Sequence, residues 1–578
     1  MAFLPITKKE IDYLGWDYVD IIIISGDAYV DHPSFGHAVI ARTLEKEGFR
    51  VAIIPQPNWR DDLRDFKKLG KPRLFFGVSS GVMDSMVNHY TASKRIRSDD
   101  AYTPNGEAGY RPDYATSVYS NILKEIYPET PIIIGGIEAS MRRNAHYDYW
   151  SDTLKPSILV DSKADLLVYG MGEKIIVEIA KQLKKGKKIK DITNINQIAY
   201  LTKEVPKSEN WETIEIPSYD ECLTSKQKQA RSILQIETTS NKIIGERLIQ
   251  KHGDDYVVVN PFDPNFSSED LDKSFALPYE RQPHPKYFKR GKVPAFEMIK
   301  YSVNIHRGCF GGCSFCTIAS HQGKQIISRS ENSILKEINT ISKDPDFKGY
   351  LSDLGGPSAN MYRMKGINID ICKTCKKPSC IFPKICPNLN FDHKPLIDLY
   401  KKVRELPYIK KAFVGSGVRY DLFIDIDKEK EKKYRTNEYF ETLFQHHVSG
   451  RLKVAPEHTE KNVLDLMRKP SFDQFVTLKQ KFEALNKKFK LRQQLIPYFI
   501  SSHPACTIKD MKNLANKTKE LGYQLEQVQD FTPTPMTIST EIYYTGINIM
   551  TQEKVFVEKN PEGKKKQNSA FFWWKPQR

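Results

Sequence analysis

Short apolar runs alternate with amphipathic stretches through the first third of the chain. Residues 20–24 (DIIII) and 51–54 (VAII) predict strands. Residues 37–48 between them place apolar side chains at helical spacing and end on Gly48. That is a β-α-β unit. It recurs as a strand over 74–78, a helix over 117–126 and a strand over 131–134 that runs into Gly135-Gly136. A strand over 166–168 then precedes Gly170-Met171-Gly172-Glu173 and a helix to residue 183. Strands alternating with helices, with glycines directly after the strands, predict an open parallel sheet with ligand-facing loops at the strand ends. Two of those loops combine basic and aromatic side chains. One runs over 79–90 into Lys94-Arg95-Ile96-Arg97, and the other over 138–150 with Arg142, Arg143, His146 and Trp150. Such loops suit an anionic or planar ligand, and equally suit packing between loops.

The pattern changes near residue 187. A charged run (KKIK) leads to an amphipathic helical stretch over 219–250, and then Pro261, Pro264, Pro278, Pro283, Pro285 and Pro294 favour extended chain. Residues 196–294 therefore read as a helical and proline-rich linker after a first domain at 1–195. Alternation resumes at 297–306, where Tyr301, Val303 and Ile305 share one face of a predicted strand. Ser330 caps a helix over 330–341, and a strand near 349–351 leads to Gly355-Gly356-Pro357. Strands over 413–418, 452–456 and 495–500 follow, with a helix over 460–467. This gives a domain over 295–550, with a cysteine-rich insertion at 366–390, and a basic and aromatic tail over 551–578.

Composition changes this picture little. At 578 residues and 40% hydrophobic content, two or more cored domains are expected. No apolar run is long enough to cross a bilayer, and the start lacks the n- and h-regions of a secretory signal, so no membrane association and a cytoplasmic location are expected. The formal charge of +17 would suit RNA or a ribosomal partner, but the lysines are spread along the chain as on an ordinary solvated face.

The cysteines change it most. Seven of nine lie between Cys309 and Cys386, a distribution that points to metal rather than to disulfides. In Arg307-Gly308-Cys309-Phe310-Gly311-Gly312-Cys313-Ser314-Phe315-Cys316 the thiols stand at i, i+4 and i+7. Cysteine thiolates are the ligands of a [4Fe-4S] cluster, and three of them leave one iron open for chemistry. Zinc sites more often pair cysteines as C-x-x-C and close with four ligands. The second group, Cys372, Cys375, Cys380 and Cys386, begins with C-x-x-C and offers such a closed set, for structural zinc or a second iron–sulfur cluster.

The C-x-x-x-C-x-x-C loop, with an aromatic before its last cysteine, resembles the signature of the radical SAM superfamily. DAYVDHPSFG, MDSMVNHYTASK, RGCFGGCSFCTI, DLGGPSANMY, KTCKKPSCIFPKICPNL and QVQDFTPTPMT together resemble the YgiQ family of that superfamily. The resemblance implies a Rossmann-like domain of the cobalamin-binding type followed by a partial (β/α)6 barrel. It implies a [4Fe-4S] cluster on Cys309, Cys313 and Cys316, with S-adenosylmethionine on the open iron and contacted by Phe315, Gly355 and Gly356. It implies cleavage to a 5′-deoxyadenosyl radical, with electrons from a protein such as flavodoxin or ferredoxin, and it leaves the substrate and the catalytic residues unnamed. The glutamate that often follows the two glycines is replaced by Pro357. Arg419, Glu457 and His458, at later strand ends, are candidates for cofactor or substrate contacts. A cobalamin-ligating loop reads D-x-H-x-x-G, whereas Asp31-His32 stand four residues before Gly36, which argues against cobalamin and leaves the pair as a cap for the following helix. The alternatives to this reading are a cobalamin-dependent methyltransferase and a non-catalytic iron–sulfur or zinc protein that binds RNA or ribosomes.

Overall fold

The computed structural model describes residues 3–575, and the chain divides into two compact units, one formed mainly by residues 1–300 and one by residues 301–578. In the first unit β1 (Ile21–Ser25), β2 (Val51–Pro55), β3 (Phe75–Ser79), β4 (Ile132–Ile134) and β5 (Leu166–Val168) pair in parallel, in the order β5-β4-β3-β1-β2. Helices α1 (Gly36–Lys46), α2 (Ala115–Ile126) and α3 (Glu173–Lys184) connect them. The near-continuous burial of Ile21, Ile22, Ile23, Ile24, Val51, Ile53 and Ile133 is what a parallel sheet covered on both faces requires. The first third of the chain thus folds as its hydrophobic pattern predicts.

Residues 196–294 depart from the expected linker. β6 (Ile198–Thr202), β7 (Thr213–Ile216), β8 (Arg247–His252) and β9 (Asp255–Val259) extend the same sheet in the order β7-β8-β9-β6-β5. The helical stretch predicted over 219–250 is helical only over Tyr219–Thr224 and Lys226–Ser240. The run Arg247 to His252 is short enough to fit either period, and the left-handed Gly253 (φ 59°) folds it back on β9 as an antiparallel hairpin. The prolines after it pack against this unit, Pro283 pairing with Val30.

In the second unit the expected first strand is shorter than predicted. Pro294 starts a helix over Pro294–Ile299, and β10 is only Ser302–Asn304. β10 pairs in parallel with β12 (Asp353–Gly355), and β11 (Tyr350–Leu351) with β13 (Lys411–Ala412). Phe413 N–H donates to Leu351 O and Leu354 N–H to Phe413 O, which joins these pairs. β14 (Arg451–Glu457), β15 (Gln494–Ser501) and β16 (Gln529–Asp530) continue in parallel. Helices α4 (Glu331–Ile341, capped by Ser330), α5 (Lys394–Arg404), α6 (Lys461–Met467), α7 (Phe472–Phe489) and α8 (Ile508–Glu520) alternate with the strands. The strand positions and their intervening helices make the partial (β/α)6 barrel. All their carboxyl ends share one face, where such folds carry their sites.

The described part of the expected tail forms a helix, α9 (Pro561–Phe571). Phe571 is fully buried 6.0 Å from Phe499 of β15, and Gln567 accepts from Ser502 N–H and donates to Cys506 O. The aromatic end therefore docks on the barrel.

Buried histidines give the fold an acid sensitivity. Burial pushes His306, His393, His447 and His503 down to about 3, from an ordinary 6.5. Between those values the unfolded chain binds more protons than the folded one, so this contribution is complete above about pH 6.5 and is lost as pH falls toward 3. We expect each to cost on the order of 1 kcal/mol of stability between about pH 7 and about pH 5.5. Urea midpoints at the two pH values check this, and an unchanged midpoint would contradict it.

Candidate metal and cofactor site

The cysteine loop leaves β10 through Ile305 and His306. Gly308 has φ 86°, and a Cβ there would lie 1.9 Å from Gln325 O, so only glycine fits. Gln322 Oε1 accepts from Gly308 N–H at 3.1 Å, and Gly323 O accepts from Cys309 N–H at 3.2 Å, clipping the loop from behind. Gly311 N–H donates to Cys309 Sγ at 3.4 Å, and Cys316 N–H to Cys313 O at 3.2 Å. Burial pushes the Cys316 thiol up to about 12, and Cys313 and Cys309 add to the rise. Burial also raises Cys309. The three predicted ligands are therefore gathered within electrostatic reach in one loop, Cys309 buried and Cys313 and Cys316 half-buried. Ionised together they would repel, so a cationic centre among them would relieve the set, and on its donor chemistry it fits an iron–sulfur cluster. Among the described residues no three histidine, cysteine or carboxylate groups stand at single-ion distances.

The other strand ends bring charge to this loop. Arg419 Nη1 donates to Cys313 Sγ at 3.3 Å, while Nε and Nη2 donate to Asp421 at 3.0 and 2.6 Å. Burial works against the guanidinium, but Asp421 and the Cys313 thiol hold its pKa well above the ordinary value. Asn360 clasps the Arg419 backbone on both sides, accepting from N–H at 2.8 Å and donating to O at 3.0 Å. Glu457 ends β14 at φ 68° with Lys469 at 3.7 Å, and burial raises its carboxyl. Arg419 and Glu457 thus lie within electrostatic reach of each other. His458 is differently engaged: its Nδ1 accepts from Glu460 N–H and its Nε2 lies 3.4 Å from Cys506 Sγ.

Gly355 and Gly356 are close-approach positions. Gly355 O accepts from Ile305 N–H at 2.8 Å, and a Cβ there would meet Ser416 Oγ at 2.6 Å. A Cβ on Gly356 would meet the His306 ring at 2.4 Å. After them, Ser358 Oγ reaches Cys309 Sγ at 3.5 Å. Phe315 meets His503 edge-on at 6.2 Å, and Ser314 Oγ, Ser539 Oγ and His503 Nε2 form a chain with 2.7 Å links. Ser358, Asn360, Asp421, Lys469 and Ser539 escaped the sequence reading, because isolated polar residues between elements carry no spacing signal.

The two loops singled out in the first unit brace each other. Arg142 pairs with Asp84, and Glu138 accepts from Ser85 N–H and Thr116 N–H at 2.8 and 2.9 Å. Asp31 does not cap α1, whose N-cap Phe35 makes no side-chain cap bond; it forms a fully buried pair with Arg42. His32 Nδ1 accepts from Ser34 N–H at 3.2 Å, and Nε2 lies 3.2 Å from Arg281 Nη2. An open cleft of about 850 Å³ lies instead beyond β2, lined by Trp59, Arg60, Lys68, Tyr110, Lys286 and Arg290.

The sequence profile described as Radical SAM N-terminal matches residues 3–302, and a domain of unknown function, DUF3362, matches residues 526–577. A UPF0313 protein of Bacteroides thetaiotaomicron is 58% identical over 100% of this chain and 94% of its own length. One from Porphyromonas gingivalis is 57% identical over 99% and 90%. Among solved structures, the radical S-adenosylmethionine methyltransferase TsrM from Kitasatospora setae is 14% identical with TM-score 0.47, covering 90% of this chain and 75% of that one.

Proposed function

The chain belongs to the UPF0313 family and carries the radical SAM N-terminal region, and from that premise we propose that it is a radical SAM enzyme whose cluster sits on Cys309, Cys313 and Cys316. When bound, the cluster and S-adenosylmethionine would supply a 5′-deoxyadenosyl radical. What carries the reading is the gathering of three thiols, Cys309 buried and Cys313 and Cys316 half-buried, at the carboxyl face of the barrel, with Arg419 on Cys313 and Glu457 nearby. Arg419 holds positive charge against the thiolates, and the Asn360 clasp and Asp421 keep it aimed. Glu457, with Lys469 at 3.7 Å, presents a carboxylate at the same face for an amino or hydroxyl group. Gly355 and Gly356, packed against Ser416 and His306, would offer their backbone to the cofactor at this face, and Phe315 closes the loop against His503. A flavodoxin- or ferredoxin-type reductant would supply the electron. The reading includes no corrinoid, in keeping with the engaged ring nitrogens of His32.

Anaerobically reconstituted, reduced protein should release 5′-deoxyadenosine and methionine from S-adenosylmethionine, and Cys313→Ala should lower that release by more than about 100-fold, since a lost cluster ligand removes the chemistry itself. Equal release from wild type and variant would sink the assignment. Comparing RNA modifications and metabolites with and without the protein then seeks the substrate.

A further inference from the structure

We propose that Cys372, Cys375, Cys380 and Cys386 hold a second, closed iron–sulfur cluster, and that this cluster folds the turn on which the first cysteine loop rests. The inference does not depend on cleavage of S-adenosylmethionine.

Residues 366–390 have almost no core of their own. Only Ser379, Ile381 and Leu389 are buried, while Ile367, Ile369 and Ile371 are 60%, 40% and 57% exposed. Its secondary structure is slight: a helix over Ile369–Lys373 and the strand pair Lys365–Gly366 with Leu389–Asn390. A segment of this kind needs a cross-link, and its cysteines are free thiols. They are also gathered. Cys380 and Cys386 pack on one cluster with Phe310, Ile381 and Leu389. Cys375 N–H donates to Cys372 O at 3.3 Å and Cys386 N–H to Cys380 O at 2.8 Å, turning the chain so that the four converge.

The surroundings suit an anionic centre. Lys324, only 5% exposed, lies within electrostatic reach of Cys372 and Cys380, and its ammonium donates to Lys377 O. Asn388 Nδ2 donates to Cys372 Sγ at 3.4 Å, as amides around metal thiolates do. One tetrahedral zinc would draw the sulfurs to an edge of about 3.8 Å, given Zn–S bonds of about 2.3 Å. Among the described residues no three such side chains make a single-ion site, and only one C-x-x-C pair is present, so a polynuclear cluster suits the set better.

The same turn holds the first loop. Cys380 N–H donates to Phe310 O at 3.0 Å and Ser379 Oγ to Gly311 O at 2.8 Å. Gly312, at φ 64°, presses so close to Pro378 that a Cβ would lie 2.4 Å from its carbonyl oxygen. The carbonyls between Cys309 and Cys313 are thus fixed by residues bounded by Cys375 and Cys380.

Iron, acid-labile sulfide and zinc should be measured on anaerobically reconstituted wild type, on a Cys309→Ala/Cys313→Ala/Cys316→Ala triple variant and on a Cys372→Ser/Cys375→Ser/Cys380→Ser/Cys386→Ser quadruple variant. The expectation is about eight iron per wild-type chain and about four in the triple variant. An iron-free triple variant, or one that keeps about one zinc per chain, would overturn the proposal. The triple variant decides the matter even if the quadruple variant does not fold. It also separates this inference from the proposed function: a triple variant with about four iron upholds the second site even where wild type cleaves nothing. Proteolysis within 366–390 should speed up at least about tenfold when iron is chelated, because Ile367, Ile369 and Ile371 are exposed and only Ile381, Ile385 and Leu389 join the cluster around Phe310; unchanged cleavage would contradict the folding role.

Discussion

Gly308→Ala is expected to lower iron in the first cysteine loop, and 5′-deoxyadenosine release with it, by at least about tenfold, because left-handed backbone and a backbone clash are imposed at one position. The new methyl carbon would stand 1.9 Å from Gln325 O, and neither partner is a side chain that can swing aside. The loop must shift, carrying Cys309 with it. Gly546→Ala supplies the comparison. Gly546 also has positive φ, at 71°, but with ψ 19° it lies in the ordinary left-handed region, and open space surrounds its Cβ position. It should lose only about 1 kcal/mol of local stability and keep near-normal iron. Iron content and product release, measured on both variants beside wild type, test the contrast. If the two substitutions behaved alike, contact with Gln325 would not be what shapes the loop.

Arg111→Met is expected to destabilise the first unit by about 3–5 kcal/mol, the range for breaking a buried ion pair from one side. Arg111 is fully buried and meets Asp27 at 3.0 Å, Asp100 at 3.1 Å and Ser80 O at 2.8 Å. Burial already pushes Asp27 up to about 6 with the arginine present. Without it, two carboxylates would remain in the interior at the carboxyl ends of β1 and β3. A combined Asp27→Asn/Asp100→Asn/Arg111→Met variant should recover part of the loss, since it leaves no unpaired charge. Urea denaturation of wild type and the two variants measures both effects, and a single-variant loss below about 1 kcal/mol would contradict the argument.

Legibility followed the kind of signal each part carries. The β1 to β5 core was readable because buried parallel strands are short continuous runs of β-branched residues, such as Ile21 to Ile24, with glycines close behind them. Ser330 was readable as a cap because capping is local, and the structure has it accepting from Ser333 N–H. The hairpin of β8 and β9 was not, since Leu248 and Ile249 are too few to reveal a period. Asp31 illustrates the same limit from the other side. Its position before α1 suggests a cap, but Arg42, eleven residues on, offers a stronger buried partner.

The sequence by itself determined the donor set: which thiols are near one another along the chain, and which glycines allow the loop to turn. That follows from covalent spacing, which folding does not alter. It also determined the alternation of strands and helices that makes a barrel with one functional face. Only the tertiary structure decided which distant groups meet those thiols. Arg419 lies 106 residues from Cys313, and Ser539 lies 225 residues from Ser314, yet both pairs are in contact. Only it decided that the Pro378 to Cys380 turn supports the first loop. Such contacts join single polar residues across long separations, and no periodicity or local spacing records them.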